Sequence, residues 1–160
     1  MTEPSVDAPL FRQLLGRFAT GVTIVTTHEA DGTPIGMTAS SLASISLVPP
    51  LVSVAIDHAA TIHDAVVAAQ EFAVNILEAR QEALSRRFAG NAAVRFDGVG
   101  YRIGERGLVL LDGALAHIEC ARHALVKAGD HTIVIGRVIG GSTGDGRPLL
   151  YYRGGYATLG

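Results

Sequence analysis

The chain has 160 residues, of which 48% are hydrophobic and 18% charged, with a formal net charge of -2. This length supports one substantial core and is short for two, so a single domain over residues 1–160 is expected. The composition excludes a disordered chain, and the weak net charge provides no field that would gather nucleic acid or an anionic membrane.

Leu10, Phe11, Leu14, Leu15 and Phe18 recur at helical spacing before Gly21, which predicts an amphipathic helix over 8–19 covering one end of a sheet. Strands are expected at 22–28, 35–40 and 51–56, with Asp31-Gly32 turning the first into the second. Thr61 and Asp64 have the form of a capping box, so a short helix should begin at Thr61. Residues 72–77 read as a strand and 78–88 as a helix, and the glycine-bearing segment 90–107 reads as a surface connection or lid. Further strands are expected at 108–111, 114–126 and 131–140, with turns at Asp112-Gly113 and Ala128-Gly129-Asp130, and a last one starting at Tyr151-Tyr152.

Helices are too few for regular strand-helix-strand winding, and neither G-x-G-x-x-G nor G-x-x-x-x-G-K-[ST] occurs. The expected fold class is mainly β, a compact barrel with short flanking helices. A ligand too large for its interior would lie on its outside or at an interface.

Cys120 is the only cysteine, so no intramolecular disulfide is possible. No basic-plus-apolar leader or membrane-length apolar run is seen, and a cytoplasmic location is expected. The histidines lack metal-ligand spacing, and no metal site is expected. Between two of the predicted strands, Thr38, Ser40, Ser41, Ser44 and Ser46 place hydroxyls beside small neighbours, where backbone can approach a planar ligand. A polar loop would carry the same residues.

Five segments occur in order: Phe18-Ala19-Thr20-Gly21-Val22-Thr23-Ile24-Val25-Thr26-Thr27, Gly36-Met37-Thr38-Ala39-Ser40-Ser41, Phe72-Ala73-Val74-Asn75-Ile76-Leu77, Phe88-Ala89-Gly90 and Gly129-Asp130-His131-Thr132. Together they resemble the successive motifs of the short-chain flavin reductase family. The resemblance implies an FMN-binding split β-barrel, generally a homodimer, which uses NADH or NADPH to reduce FMN or FAD. Many members supply reduced flavin to a separate monooxygenase.

By that resemblance, Thr38, Ala39, Ser40 and Ser41 meet the flavin ring edge and ribityl-phosphate region, with Ser44 and Ser46 as secondary candidates. Serine stands at position 40, where the family often has asparagine. Asp57 and Thr61 correspond to the approach to the phosphate, and Arg87, Phe88 and Ala89 match a cofactor-proximal segment. His131 corresponds to the histidine of the nicotinamide pocket and Tyr156 to an aromatic beside it. A turn histidine and a solvated arginine are the plain alternatives for His131 and Arg87. Two other activities fit the same motifs: an oxidoreductase that retains its flavin and reduces another acceptor, and a flavin-binding module without turnover.

Overall fold

The computed structural model describes residues 3–160. The Asp7 carboxylate accepts the Leu10 N–H at 2.9 Å and caps helix α1 (Ala8–Leu15), which ends at Gly16. The helix is shorter than its apolar spacing predicts. None of its residues is buried, and Leu10, Phe11, Leu14 and Leu15 all stand open, so the expected cover over the sheet is not formed among the described residues.

The strands are β1 (Thr20–Gly21), β2 (Thr23–His28), β3 (Pro34–Ala39), β4 (Ala43–Leu47), β5 (Pro50–Asp57), β6 (Glu71–Ile76), β7 (Tyr101–Ile103), β8 (Val109–Leu111), β9 (Ala116–Ala128), β10 (His131–Thr143), β11 (Leu149–Tyr152) and β12 (Gly155–Thr158). Helices α2 (His63–Ala68) and α3 (Glu82–Phe88) lie among them. A seven-stranded antiparallel sheet runs β3-β2-β6-β9-β10-β5-β4, beside a β1-β11-β12 sheet and a β7-β8 pair. The large sheet ends in β3 on one side and β4 on the other, so the barrel is split rather than closed.

β9 and β10 carry register shifts at Ile135/Gly136 and Val138/Gly140, which increase local twist and bend the sheet. A Cβ at Gly136 would stand 2.7 Å from Phe72 Cζ and 2.8 Å from Cys120 Cβ, so only glycine lets Phe72 fill this bend. The main core joins Val25, Val54, Ile56, Phe72, Val74 and Val134, while a second cluster joins Val22, Ile24, Leu77, Phe88, Leu111 and Leu149. Alternate residues of β2 feed the two clusters, so this strand is buried on both faces.

Fully buried Asn75 donates to the Ile24 carbonyl and to Thr26 Oγ1 and accepts the Leu111 N–H at 2.9 Å. This satisfied amide ties β8 to β2 and β6 at no net polar penalty. Cys120 is buried, and its thiol is pushed up to about 12 by that burial. It is a small hydrophobe rather than a nucleophile. No helix among the described residues is long and apolar enough to cross a membrane.

Candidate functional site

The loop between edge strands β3 and β4 carries Ser40 and Ser41 to the split in the sheet, and a groove of about 940 Å3 opens beside it. Phe11, Leu15 and Phe18 line it together with Tyr151, Thr20, Ser40 and Ser41. Thr23 and Ile76 also line it, and Arg12 and Arg153 stand among these mainly apolar walls. That size and character match a site for a mid-sized organic ligand.

The hydroxyls around the groove differ in what they leave free. Thr38 donates to the Ser85 carbonyl at 2.6 Å, so its side chain ties β3 to α3. Ala39 is buried in the core, and its carbonyl accepts the Thr23 hydroxyl at 2.7 Å. Ser41 Oγ binds the N–H and the carbonyl of Ala55, whereas Ser40 is exposed at the groove. Thr20 Oγ1 is buried and has no hydrogen-bond partner among the described residues. A buried hydroxyl left unpaired is costly, which makes this atom a natural point for a ligand's polar group.

Ser44 and Ser46 lie on edge strand β4, beyond the groove lining. This strand was not anticipated from the sequence.

His131 and Asp57 face each other across the β5–β10 ladder. Asp57, Asp130 and His131 each present a side-chain N or O atom within 4.8 Å of the others. His131 Nδ1 is 2.6 Å from Asp130 Oδ1, and that hydrogen bond, with the imidazole's charge, holds the Asp130 carboxyl below its ordinary value. Asp57 also accepts the Ala59 N–H at 2.8 Å, closing the turn after β5. Ala55, the residue held by Ser41, is two positions from Asp57, so β5 carries both the serine loop and the His131 cluster.

Other expected residues fall elsewhere. Thr61 does not cap α2: the helix begins at His63 after Ile62 and has no side-chain cap. Six residues of helix give no anion-binding terminus of consequence. Thr61 instead lines a separate cavity of about 400 Å3 with Gly36, Arg95 and Phe96.

Arg87 donates to the carbonyls of Val94 at 2.7 Å, Arg95 at 2.9 Å and Asp97, so it clamps the loop after α3. Phe88 is fully buried in the second core cluster, and Ala89 caps α3. None of these three lines the groove.

Tyr156 is half-buried behind Tyr151, with its hydroxyl 2.7 Å from Ser85 Oγ and the Arg86 guanidinium carbon 4.8 Å from its ring centroid. Sequence reasoning did not single out Thr20, Tyr151, Arg12 or Arg153 as site residues. The only local signal was the Arg153-Gly154 turn, which returns β11 into β12 and has positive φ at both positions.

Residues 15–160 match the family model described as a flavin reductase like domain. A probable flavin reductase of Rhizobium meliloti is 39% identical over 99% of this chain, and this chain spans about half, 51%, of its length. The HsaB reductase subunit of a flavin-dependent monooxygenase from Mycobacterium tuberculosis is 37% identical over 96% of this chain and 83% of its own. The NADH:FAD oxidoreductase SgcE6 of Streptomyces globisporus, solved with NAD and FAD fragments, superposes with a TM-score of 0.91 at 40% identity, covering 96% of this chain and 93% of that one.

Proposed function

The chain belongs to the flavin reductase-like family, and from that premise we propose that it reduces FMN or FAD with NADH or NADPH and passes the reduced flavin to a partner monooxygenase. The observation that carries this reading is the groove beside Ser40 and Ser41, with its apolar walls and the unpaired buried hydroxyl of Thr20. Such a donor set fits a flat, largely apolar ring system with polar edge atoms. Bound flavin supplies the hydride acceptor, and nicotinamide supplies the hydride.

The chain's residues bind and orient. The backbone at Thr38-Ala39-Ser40-Ser41 and the hydroxyls of Ser40 and Thr20 hold the ring edge, while Phe11, Phe18 and Tyr151 exclude water from its faces. With Arg87 engaged by loop carbonyls, Arg12 and Arg153 are the groove's own cations for a phosphate. His131, held by Asp130, and Asp57 beside it orient the reductant.

The reading takes residues 1–160 as one domain and its working form as a homodimer. Support for the dimer comes from the uncovered apolar residues Phe11, Leu14 and Phe18, together with Leu47 and Val48 at the β4–β5 tip. A second copy would cover such a surface and narrow the groove.

Anaerobic mixing of the flavin-loaded protein with NADH and with NADPH tests the proposal. Flavin bleaching with release of reduced flavin is the expected outcome. Bleaching without release would indicate an enzyme that keeps its flavin, and tight binding without bleaching would indicate a binding module.

A further inference from the structure

Ser85 lies in the middle of α3, fully buried and outside the groove, yet it is bonded to Thr38 and Tyr156, which stand directly behind groove-lining residues of two different strands. Its carbonyl accepts the Thr38 hydroxyl at 2.6 Å, two residues before Ser40. Its own hydroxyl meets the Tyr156 hydroxyl at 2.7 Å. Tyr156 is the cross-strand partner of Tyr151, with ring centroids 5.3 Å apart and planes at 70°, an edge-to-face pair. Tyr151 lines the groove and pairs in turn with Thr20 across β1 and β11. One buried residue thus connects the serine-bearing wall to the tyrosine-bearing wall.

A serine hydroxyl inside a helix commonly bonds back to a carbonyl of the preceding turn. That of Ser85 makes a tertiary contact instead. Ser85 has no exposure and Tyr156 is half-buried, so the bond between them is partly shielded from competing water. The Thr38 contact uses the backbone carbonyl and survives any side-chain change at position 85, so the two ties can be broken one at a time.

We propose that Ser85 is a positioning residue whose two ties set the spacing of the groove walls and thereby the affinity for flavin. The proposal rests on the flavin reading of the groove. Ser85→Ala releases the tyrosine wall alone, and Tyr156→Phe removes the other half of the same bond. Each should weaken FMN and FAD binding by roughly 2- to 13-fold, the range of one neutral hydrogen bond. The double variant should be no worse than either single one, because only one interaction is lost.

Flavin fluorescence titration of the four proteins, paired with steady-state NADH oxidation and a thermal melt, is the test. For Ser85→Ala, a raised flavin KM with kcat at saturating flavin held within about twofold supports positioning, since uniform binding alone has been lost. A lowered melting temperature with unchanged flavin affinity would reduce Ser85 to a structural residue and overturn the proposal. Additive losses would also overturn it, by placing the Tyr156 hydroxyl on the ligand itself. If Ser85→Ala fails to fold, Tyr156→Phe carries the same decision: unchanged flavin affinity overturns it. Wild type binding neither flavin would remove the flavin reading as well, whereas wild-type binding with unaltered variants removes this inference alone.

Discussion

Ser41 Oγ accepts the Ala55 N–H at 2.9 Å and donates to the Ala55 carbonyl at 3.2 Å, so one side chain occupies the place of a strand partner. Ala43 already pairs with Ser53, and the contact extends that ladder by one step into the split of the sheet. The hydroxyl that fastens the loop is therefore engaged, while neighbouring Ser40 stays open to the groove.

Ser41→Ala should lower stability by about 1 kcal/mol, allowing for the exposure of the pair, and should loosen flavin binding through the loop. Ser40→Ala should leave stability within about 0.5 kcal/mol of wild type and still weaken flavin binding. Urea denaturation midpoints and flavin titration separate the two. Identical midpoints for wild type and Ser41→Ala would show that the hydroxyl does not fasten the loop.

Arg87 organises the segment after α3 through three carbonyls, which is a structural use of its charge. Arg87→Lys cannot reproduce a planar fork reaching several acceptors, so it should behave like Arg87→Ala. Both should speed limited proteolysis within residues 90–99 and lower the melting temperature. Full protection of that segment in Arg87→Lys would return the residue to the role of a simple cation.

His131→Ala should raise the KM for NADH or NADPH and leave flavin affinity largely intact, by roughly 2- to 13-fold for a lost neutral hydrogen bond. Asp130 adds a pH signature. Its folded pKa lies below the ordinary aspartate value, so the stability it contributes is present above that ordinary value and lost as pH falls through the lower folded pKa. Wild type and Asp130→Asn should accordingly differ in melting temperature near neutrality and converge in strong acid. A gap that widens as pH falls would contradict the assigned pairing.

The strand pattern was legible because alternation and glycine turns report the local backbone, and most expected strands match within a few residues. What failed depended on distant partners. The Leu10, Phe11, Leu14 and Leu15 stripe predicts an amphipathic helix correctly, but periodicity does not say what covers it, and among the described residues nothing buries it. β4 escaped because serines 44 and 46 continue the hydroxyl run of Ser40 and Ser41, which reads as one polar loop. Thr61 and Asp64 had the spacing of a capping box, yet the helix starts two residues later at His63. Arg87 reads as a cofactor-proximal residue only because its carbonyl partners lie seven to ten residues on, in a loop whose path the sequence does not fix. Ser85 carried no signal at all, since its meaning comes from Thr38 and Tyr156, 47 and 71 residues away.

Thr20 offers a test in which stability and binding move in opposite directions. Its buried Oγ1 has no partner among the described residues, and an unsatisfied buried polar atom costs about 1–3 kcal/mol. Thr20→Val keeps the β-branched shape in β1 and removes the hydroxyl, so the flavin-free protein should become more stable. If a flavin polar atom completes that hydroxyl, the same variant should bind flavin roughly 2- to 13-fold more weakly. Because a ligand stabilises in proportion to its affinity, added FMN or FAD should raise the melting temperature of wild type more than that of Thr20→Val. Thr20→Ser retains the hydroxyl and should keep most of the flavin-induced shift. A stabilised Thr20→Val with wild-type flavin affinity would place the unpaired hydroxyl outside the ligand's reach.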